Sequence, residues 1–172
     1  MKKILVLGYM GSGKSIIGNL LAQKLEIPFK DLDQVIENRL EMSVSEIFEV
    51  KGEIYFRKIE HQIFNELMQD EESLVLSLGG GTPCYSNNHL LLSGPATVSF
   101  YLNASIDTLF SRLLSERQNR PLIANLDDVA FKEYIAKHLF DRSYFYNQAT
   151  FKMMVNNKTP QQIIEELMSL LA

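Results

Sequence analysis

The feature that most constrains this chain lies near its start, where Gly8-Tyr9-Met10-Gly11-Ser12-Gly13-Lys14-Ser15 follows an apolar run at residues 4–7 and opens a helical pattern over 14–25. Gly, any four residues, then Gly-Lys-Ser is the phosphate-loop pattern, and strand before with helix after is the context it requires. Glycines there let the backbone wrap so that N–H groups point inward at phosphate oxygens, and the helix N-terminus adds its partial positive charge. Lys14 then reaches the outer phosphates of a nucleotide, and Ser15 offers a hydroxyl to Mg²⁺. The pattern predicts a nucleotide-binding α/β fold.

The rest of the chain agrees with that prediction. Short apolar runs at 4–7, 27–30, 74–78, 97–102 and 151–155 alternate with longer helical patterns, which is the signature of a parallel sheet covered by helices. Ile17, Leu20, Leu21 and Leu25 recur at helical spacing, Ser43-Val44-Ser45-Glu46 reads as a capping box, and Thr159-Pro160-Gln161-Gln162 places a cap and a first-turn proline before a last helix. Gly52 interrupts a helical stretch and predicts a separate helix over 53–68 with Ile59, Ile63, Phe64 and Leu67 inward. A length of 172 residues fits one domain, 1–172, with no room for two full ones. The polar stretch from Ser115 through Arg117, Asn119, Arg120 and Pro121 to Asn125 reads as an exposed loop, either a lid or a solvated connector.

Charge and cysteine content narrow the partners. A net charge of −4 argues against a chain that coats nucleic acid or anionic lipid, since those partners demand a positive field. Met1-Lys2-Lys3 and the apolar run after it look briefly like a signal peptide, but the run stops at Gly8, and no stretch approaches the ~18–20 apolar residues that cross a bilayer. The only cysteine, Cys84, fits a reduced compartment, so the expectation is a cytoplasmic protein. His61, His89 and His138 share no spacing that suggests metal ligation, and the metal expected is nucleotide-borne Mg²⁺.

Several further clusters carry chemistry. Asp31-Leu32-Asp33 follows the second predicted strand, where a two-residue spacing sends both carboxylates to one side of the strand end; the alternative is that one of them merely caps the next helix. GTPase guanine-recognition sequences of the Asn-Lys-x-Asp type are absent. Arg57 and Glu60 lie three apart on one helical face, either as an ordinary exposed ion pair or as a carboxylate holding a guanidinium that grips a substrate carboxylate. Gly79-Gly80-Gly81 exceeds what a turn needs and suggests close approach of a ligand, against a tight packing turn. Arg120 either swings over a transferring phosphate or is solvated, and Arg142, with Tyr146 four residues on, is a substrate clamp or a packed helix end.

Taken in order, the set resembles the shikimate kinase family over nearly the whole chain. The matching pieces are Gly8 to Ser15, Asp31-Leu32-Asp33, Phe56-Arg57-Lys58-Ile59-Glu60, Leu76-Ser77-Leu78-Gly79-Gly80-Gly81, Arg120-Pro121-Leu122, and Arg142 with Tyr146. The resemblance implies a three-layer P-loop kinase fold, α/β, with a five-stranded parallel sheet of order 2-3-1-4-5, substrate-binding helices at about 33–61 and a mobile lid at about 112–126. It implies ATP-dependent phosphorylation of the shikimate 3-hydroxyl by a monomer. Gly11, Ser12, Gly13, Lys14, Ser15 and Ile16 would hold the ATP phosphates, with Ser15 on Mg²⁺ and Asp31 in its outer sphere through water. Asp33 would bind the ring hydroxyls and orient or deprotonate the acceptor, Arg57 and Arg142 would grip the carboxylate, and Gly79, Gly80 and Gly81 would line the acceptor site. Arg120 would close over the phosphates beside Lys14, and Lys158 and Pro160 occupy the adenine-side loop. The family usually has Thr where this chain has Ile16, and whether Arg112 or Arg117 stacks on adenine is open at this point. Another small-molecule kinase of the same fold, acting on gluconate or a nucleoside monophosphate, and a non-catalytic ATP-binding switch are the alternatives.

Overall fold

The computed structural model of the protein describes residues 2–120 and 122–172. Met1, and Pro121 within the lid motif, lie outside the described residues. Five parallel strands form one sheet whose order, numbered along the chain, is 2-3-1-4-5, as the resemblance implies. In chain order the strands are β1 (Lys3–Leu7), β2 (Phe29–Asp31), β3 (Leu74–Ser77), β4 (Thr97–Asn103) and β5 (Phe151–Met154), and the helices are α1 (Lys14–Leu25), α2 (Leu32–Leu40), α3 (Val44–Lys51), α4 (Glu53–Gln69), α5 (Ile106–Leu114), α6 (Asp128–Tyr146) and α7 (Pro160–Leu171).

The central strands are apolar because both their faces are covered. All five residues of β1 are buried between β3 and β4, with Leu5 opposite Leu76 on one side and Ser99 on the other. The chain leaves β1 toward β3 and β2, and later crosses back to β4 and β5, so the strand order reverses at β1 and opens a crevice beyond the carboxyl ends of β1, β3 and β4. Helices α1 and α7 pack together, α2 and α3 pack on α4, and α5 packs on α6.

Local signals fix most boundaries. Both expected capping boxes form, at Ser43 with Glu46 and at Thr159 with Gln162. Gly52, at φ 86 and ψ 167, separates α3 from α4 in a backbone conformation that only glycine adopts freely. The second strand is displaced from the expected 27–30 to Phe29–Asp31. Glu26 ends α1 in a left-handed conformation, and the Ile27 amide still donates to the Ala22 carbonyl at 3.1 Å, so Ile27 belongs to the helix cap. No helix among the described residues is long and apolar enough to cross a membrane.

Candidate active site

The phosphate loop runs from the end of β1 into α1 at the mouth of the crevice. Gly8 and Gly11 take φ values of 151 and 81, and a Cβ on Gly8 would meet the Leu102 carbonyl oxygen at 2.7 Å, so the wrap depends on missing side chains. Ser12 in the loop is buried, yet its Oγ has no hydrogen-bond partner among the described residues. A buried orphan hydroxyl within a phosphate-loop sequence fits a phosphate oxygen. Lys14 donates from Nζ to the Tyr9 carbonyl at 3.1 Å, and burial lowers its pKa to about 8 against the opposing pull of Asp33 and Asp31.

Ser15 donates from Oγ to Asp31 Oδ2 at 2.7 Å, while Asp31 Oδ1 accepts from the Gln34 amide at 3.3 Å. Asp31 is therefore both the cap of α2 and the partner of the loop hydroxyl, and the two readings of this residue are one arrangement. The expectation that Asp31 and Asp33 leave a strand end side by side is corrected. Asp31 closes β2, whereas Asp33 sits in the first turn of α2, which aims its carboxylate inward beside Gly79. Burial, then Asp31 and Glu60, push the Asp33 pKa up to about 6, with Lys14 opposing. Among the described residues no group of three or more His, Cys, Asp or Glu could hold a metal unaided. The Ser15 hydroxyl and Asp31 carboxylate are hard oxygens beside the phosphate loop, a donor pair that fits Mg²⁺ arriving on a nucleotide.

One wall of the crevice is built from α4, the turn after β3 and α6. Arg57 donates to Glu60 Oε1 at 2.8 Å, and Glu60 Oε2 accepts from Thr82 Oγ1 at 2.9 Å. Glu60 is only 1% exposed, so this is no ordinary surface pair. The guanidinium also lies over the Tyr85 ring, 4.0 Å from its centroid. Across the turn, Tyr146 donates its hydroxyl to the Gly80 carbonyl at 2.5 Å, and Arg142 lies over the ring of Tyr9 at 5.6 Å.

The three glycines make this convergence possible. A Cβ on Gly79 would meet Asp33 Oδ1 at 2.9 Å, one on Gly80 would meet Arg142 Nη1 at 3.1 Å, and one on Gly81 would meet Arg57 Nη2 at 2.6 Å. Each glycine thus admits one of the polar side chains suggested by the sequence, and Asp33, Arg57 and Arg142 surround a single turn. Thr82, Tyr85 and Tyr9, which complete the wall, carried no local signal, because their partners are distant in sequence.

The opposite wall is looser. Arg120 pairs with Glu116 at 2.9 Å and contacts Met10 Sδ at 3.3 Å, on the edge of a cavity of about 420 Å³ that Ile123 and Tyr134 also line. Arg117 is engaged by Asp128 at 2.9 Å, whereas Arg112 donates to the Gly11 carbonyl at 3.1 Å. Arg112, Ile16, Lys158 and Pro160 line a second cavity of about 280 Å³ behind the loop. Of the two arginines left open by the sequence, Arg112 is the one on the loop's side. Lys158 is tethered to Glu166 at 2.8 Å.

Comparison with known proteins agrees with this geometry. The sequence model of the shikimate kinase family matches residues 10–172. A shikimate kinase of Flavobacterium johnsoniae is 55% identical over 172 residues, covering 100% of both chains. The solved shikimate kinase of Bacteroides thetaiotaomicron superposes with a TM-score of 0.89 at 33% identity, covering 99% of this chain and 98% of that one. The Acinetobacter baumannii shikimate kinase, solved in complex with shikimate, gives 0.87 at 26% identity over 99% and 93%. With the phosphate loop, the paired arginines and the triple-glycine turn in one crevice, and with relatives this similar over the full length, the chain belongs to the shikimate kinase family.

Proposed function

We propose that this chain transfers the γ-phosphate of ATP to the 3-hydroxyl of shikimate, giving shikimate 3-phosphate and ADP in chorismate and aromatic amino-acid synthesis. The observation that carries the residue assignment is the convergence of Arg57, Arg142 and Asp33 on the Gly79–Gly81 turn. Two guanidinium groups suit one carboxylate, and one acidic side chain beside them suits a ring hydroxyl, so the wall is complementary to a small carboxylated polyol. A nucleoside monophosphate would instead ask for a surface on which a base stacks.

In this reading the loop amides from Gly11 to Ile16 and the free hydroxyl of Ser12 take the phosphate oxygens, and Lys14 leaves the Tyr9 carbonyl for the phosphates. Ser15 and, through water, Asp31 would hold Mg²⁺, which would neutralise phosphate charge. Glu60, buried and doubly bonded, fixes the Arg57 fork, so that binding the acid costs little side-chain entropy. Asp33 orients the acceptor hydroxyl and takes its proton as the bond to phosphorus forms; a pKa raised to about 6 makes it a better base than an ordinary aspartate while leaving it ionised at neutral pH. Arg120, released from Glu116, neutralises charge on the transferring group as residues 112–126 close. Arg112 faces adenine with Lys158 and Pro160. The chain is read as a monomer, as the family resemblance implies, and the single cysteine supports a cytoplasmic location.

The test is coupled ADP release with MgATP, comparing shikimate, gluconate, a nucleoside monophosphate and no acceptor. Turnover with shikimate alone is expected. Nucleotide binding with no acceptor-dependent ADP would instead favour a non-catalytic switch, and turnover with gluconate alone another kinase of this fold.

A further inference from the structure

Tyr9 occupies a position in the phosphate loop where the motif accepts any residue, yet its side chain is 1% exposed and reaches across the crevice to α6. Its hydroxyl lies 2.8 Å from His138 Nδ1, and its ring lies under Arg142, one helical turn further along the same helix. Tyr134, one turn in the other direction, packs its ring 4.3 Å from the His138 imidazole. Burial raises the Tyr9 pKa, and burial with Arg142 and Lys137 lowers that of His138 against Asp141, so both groups are neutral at pH 7. With the imidazole proton on Nε2, the phenol donates to Nδ1. The Tyr9 main chain faces the other way, its carbonyl accepting from Lys14 Nζ and from the Ser12 amide, each at 3.1 Å.

One residue thus joins the two halves of the site. A nucleotide phosphate entering the loop competes with the Tyr9 carbonyl for Lys14, and any movement of Tyr9 is felt by the helix that carries Arg142. We propose that Tyr9 and His138 are positioning residues that tie the phosphate loop to Arg142, so that nucleotide and acceptor acid bind with coupled affinities. This rests on the reading of Arg142 as a carboxylate clamp. Neither residue touches a reacting atom in this scheme; both act through the guanidinium.

The experiment measures shikimate affinity by calorimetry with and without saturating ADP, for the wild type, Tyr9→Phe, His138→Leu, the double variant and Arg142→Ala, with steady-state kinetics beside it. Tyr9→Phe keeps the ring and the fold and removes only the hydroxyl. The expected result is a shikimate KM raised about fivefold in Tyr9→Phe, the change that loss of one neutral hydrogen bond produces, with kcat within about twofold. The ADP-induced change in shikimate affinity is expected to shrink by a similar factor, and the double variant to match either single one. Arg142→Ala with weakened shikimate binding, alongside Tyr9→Phe with unchanged KM and unchanged coupling, would overturn the proposal alone. Arg142→Ala with undiminished shikimate binding would overturn the clamp reading beneath it.

Discussion

The two walls of the crevice hold their arginines on opposite terms. On the acceptor side, Arg57 is bound to a Glu60 whose side chain is 1% exposed and which a second hydrogen bond from Thr82 anchors. On the lid side, Arg120 is bound to a Glu116 whose side chain is 55% exposed. A buried, doubly bonded pair resists rearrangement because breaking it strands a charge, whereas an exposed i,i+4 pair contributes only about 0.3–0.5 kcal/mol and reforms with water at little cost. In the proposed reading, the acceptor wall is therefore set before substrate arrives, and the lid wall moves onto a nucleotide. A kinase needs both, a rigid seat for the alcohol and a cover that excludes water from the phosphoryl group.

The largest expected effect comes from the rigid side. Asp33→Asn should lower kcat by about 10²–10⁴-fold while nucleotide binding, followed by calorimetry, survives. The same substitution should raise thermal stability at pH 7. A carboxyl whose pKa rises from 3.8 unfolded to about 6 folded costs stability progressively as pH rises through that window, because the unfolded chain releases its proton first, so the gain should be absent below about pH 4, build between about 4 and 6, and be full above about 6. In the wild type, kcat/KM should fall as pH drops through about 6, where Asp33 gains a proton, and again above about 8, where Lys14 loses one.

Gly81→Ala tests the same wall more gently. Its Cβ would lie 2.6 Å from Arg57 Nη2 and 2.9 Å from Nη1, so the fork must shift. Shikimate KM should rise about tenfold, the consequence of roughly 1.4 kcal/mol of misplacement, with kcat within about twofold; an unchanged KM would show that the wall is not rigid. The smallest effect belongs to the lid. Glu116→Ala should change kcat/KM for ATP by less than about threefold. Proteolysis within residues 112–126 should be faster in the free protein than with both ligands, and equal rates would remove the contrast between the walls.

Much of this was legible in the sequence, for reasons that differ by region. The phosphate loop, the central strands and both capping boxes are local, since each is specified by residues within a few positions of one another. The second strand was misplaced because it is a short edge strand of three half-buried residues, with no continuous apolar run to mark it. The sequence put Asp33 in the site but on the wrong element, because Asp31 ends a strand and caps a helix at once. Arg57 and Glu60 could be paired from spacing, but their burial could not, since it depends on Thr82 and Tyr85 brought in from another turn. Tyr9 and His138, 129 positions apart, carry no pattern at all.

Phosphorus NMR of the product formed from MgATP and shikimate tests the central assignment most directly. A single phosphate monoester whose phosphorus couples to the proton on C3 is the predicted result. ADP accompanied only by inorganic phosphate, or an ester on another hydroxyl, would contradict the placement of the acceptor between Asp33 and the two arginines.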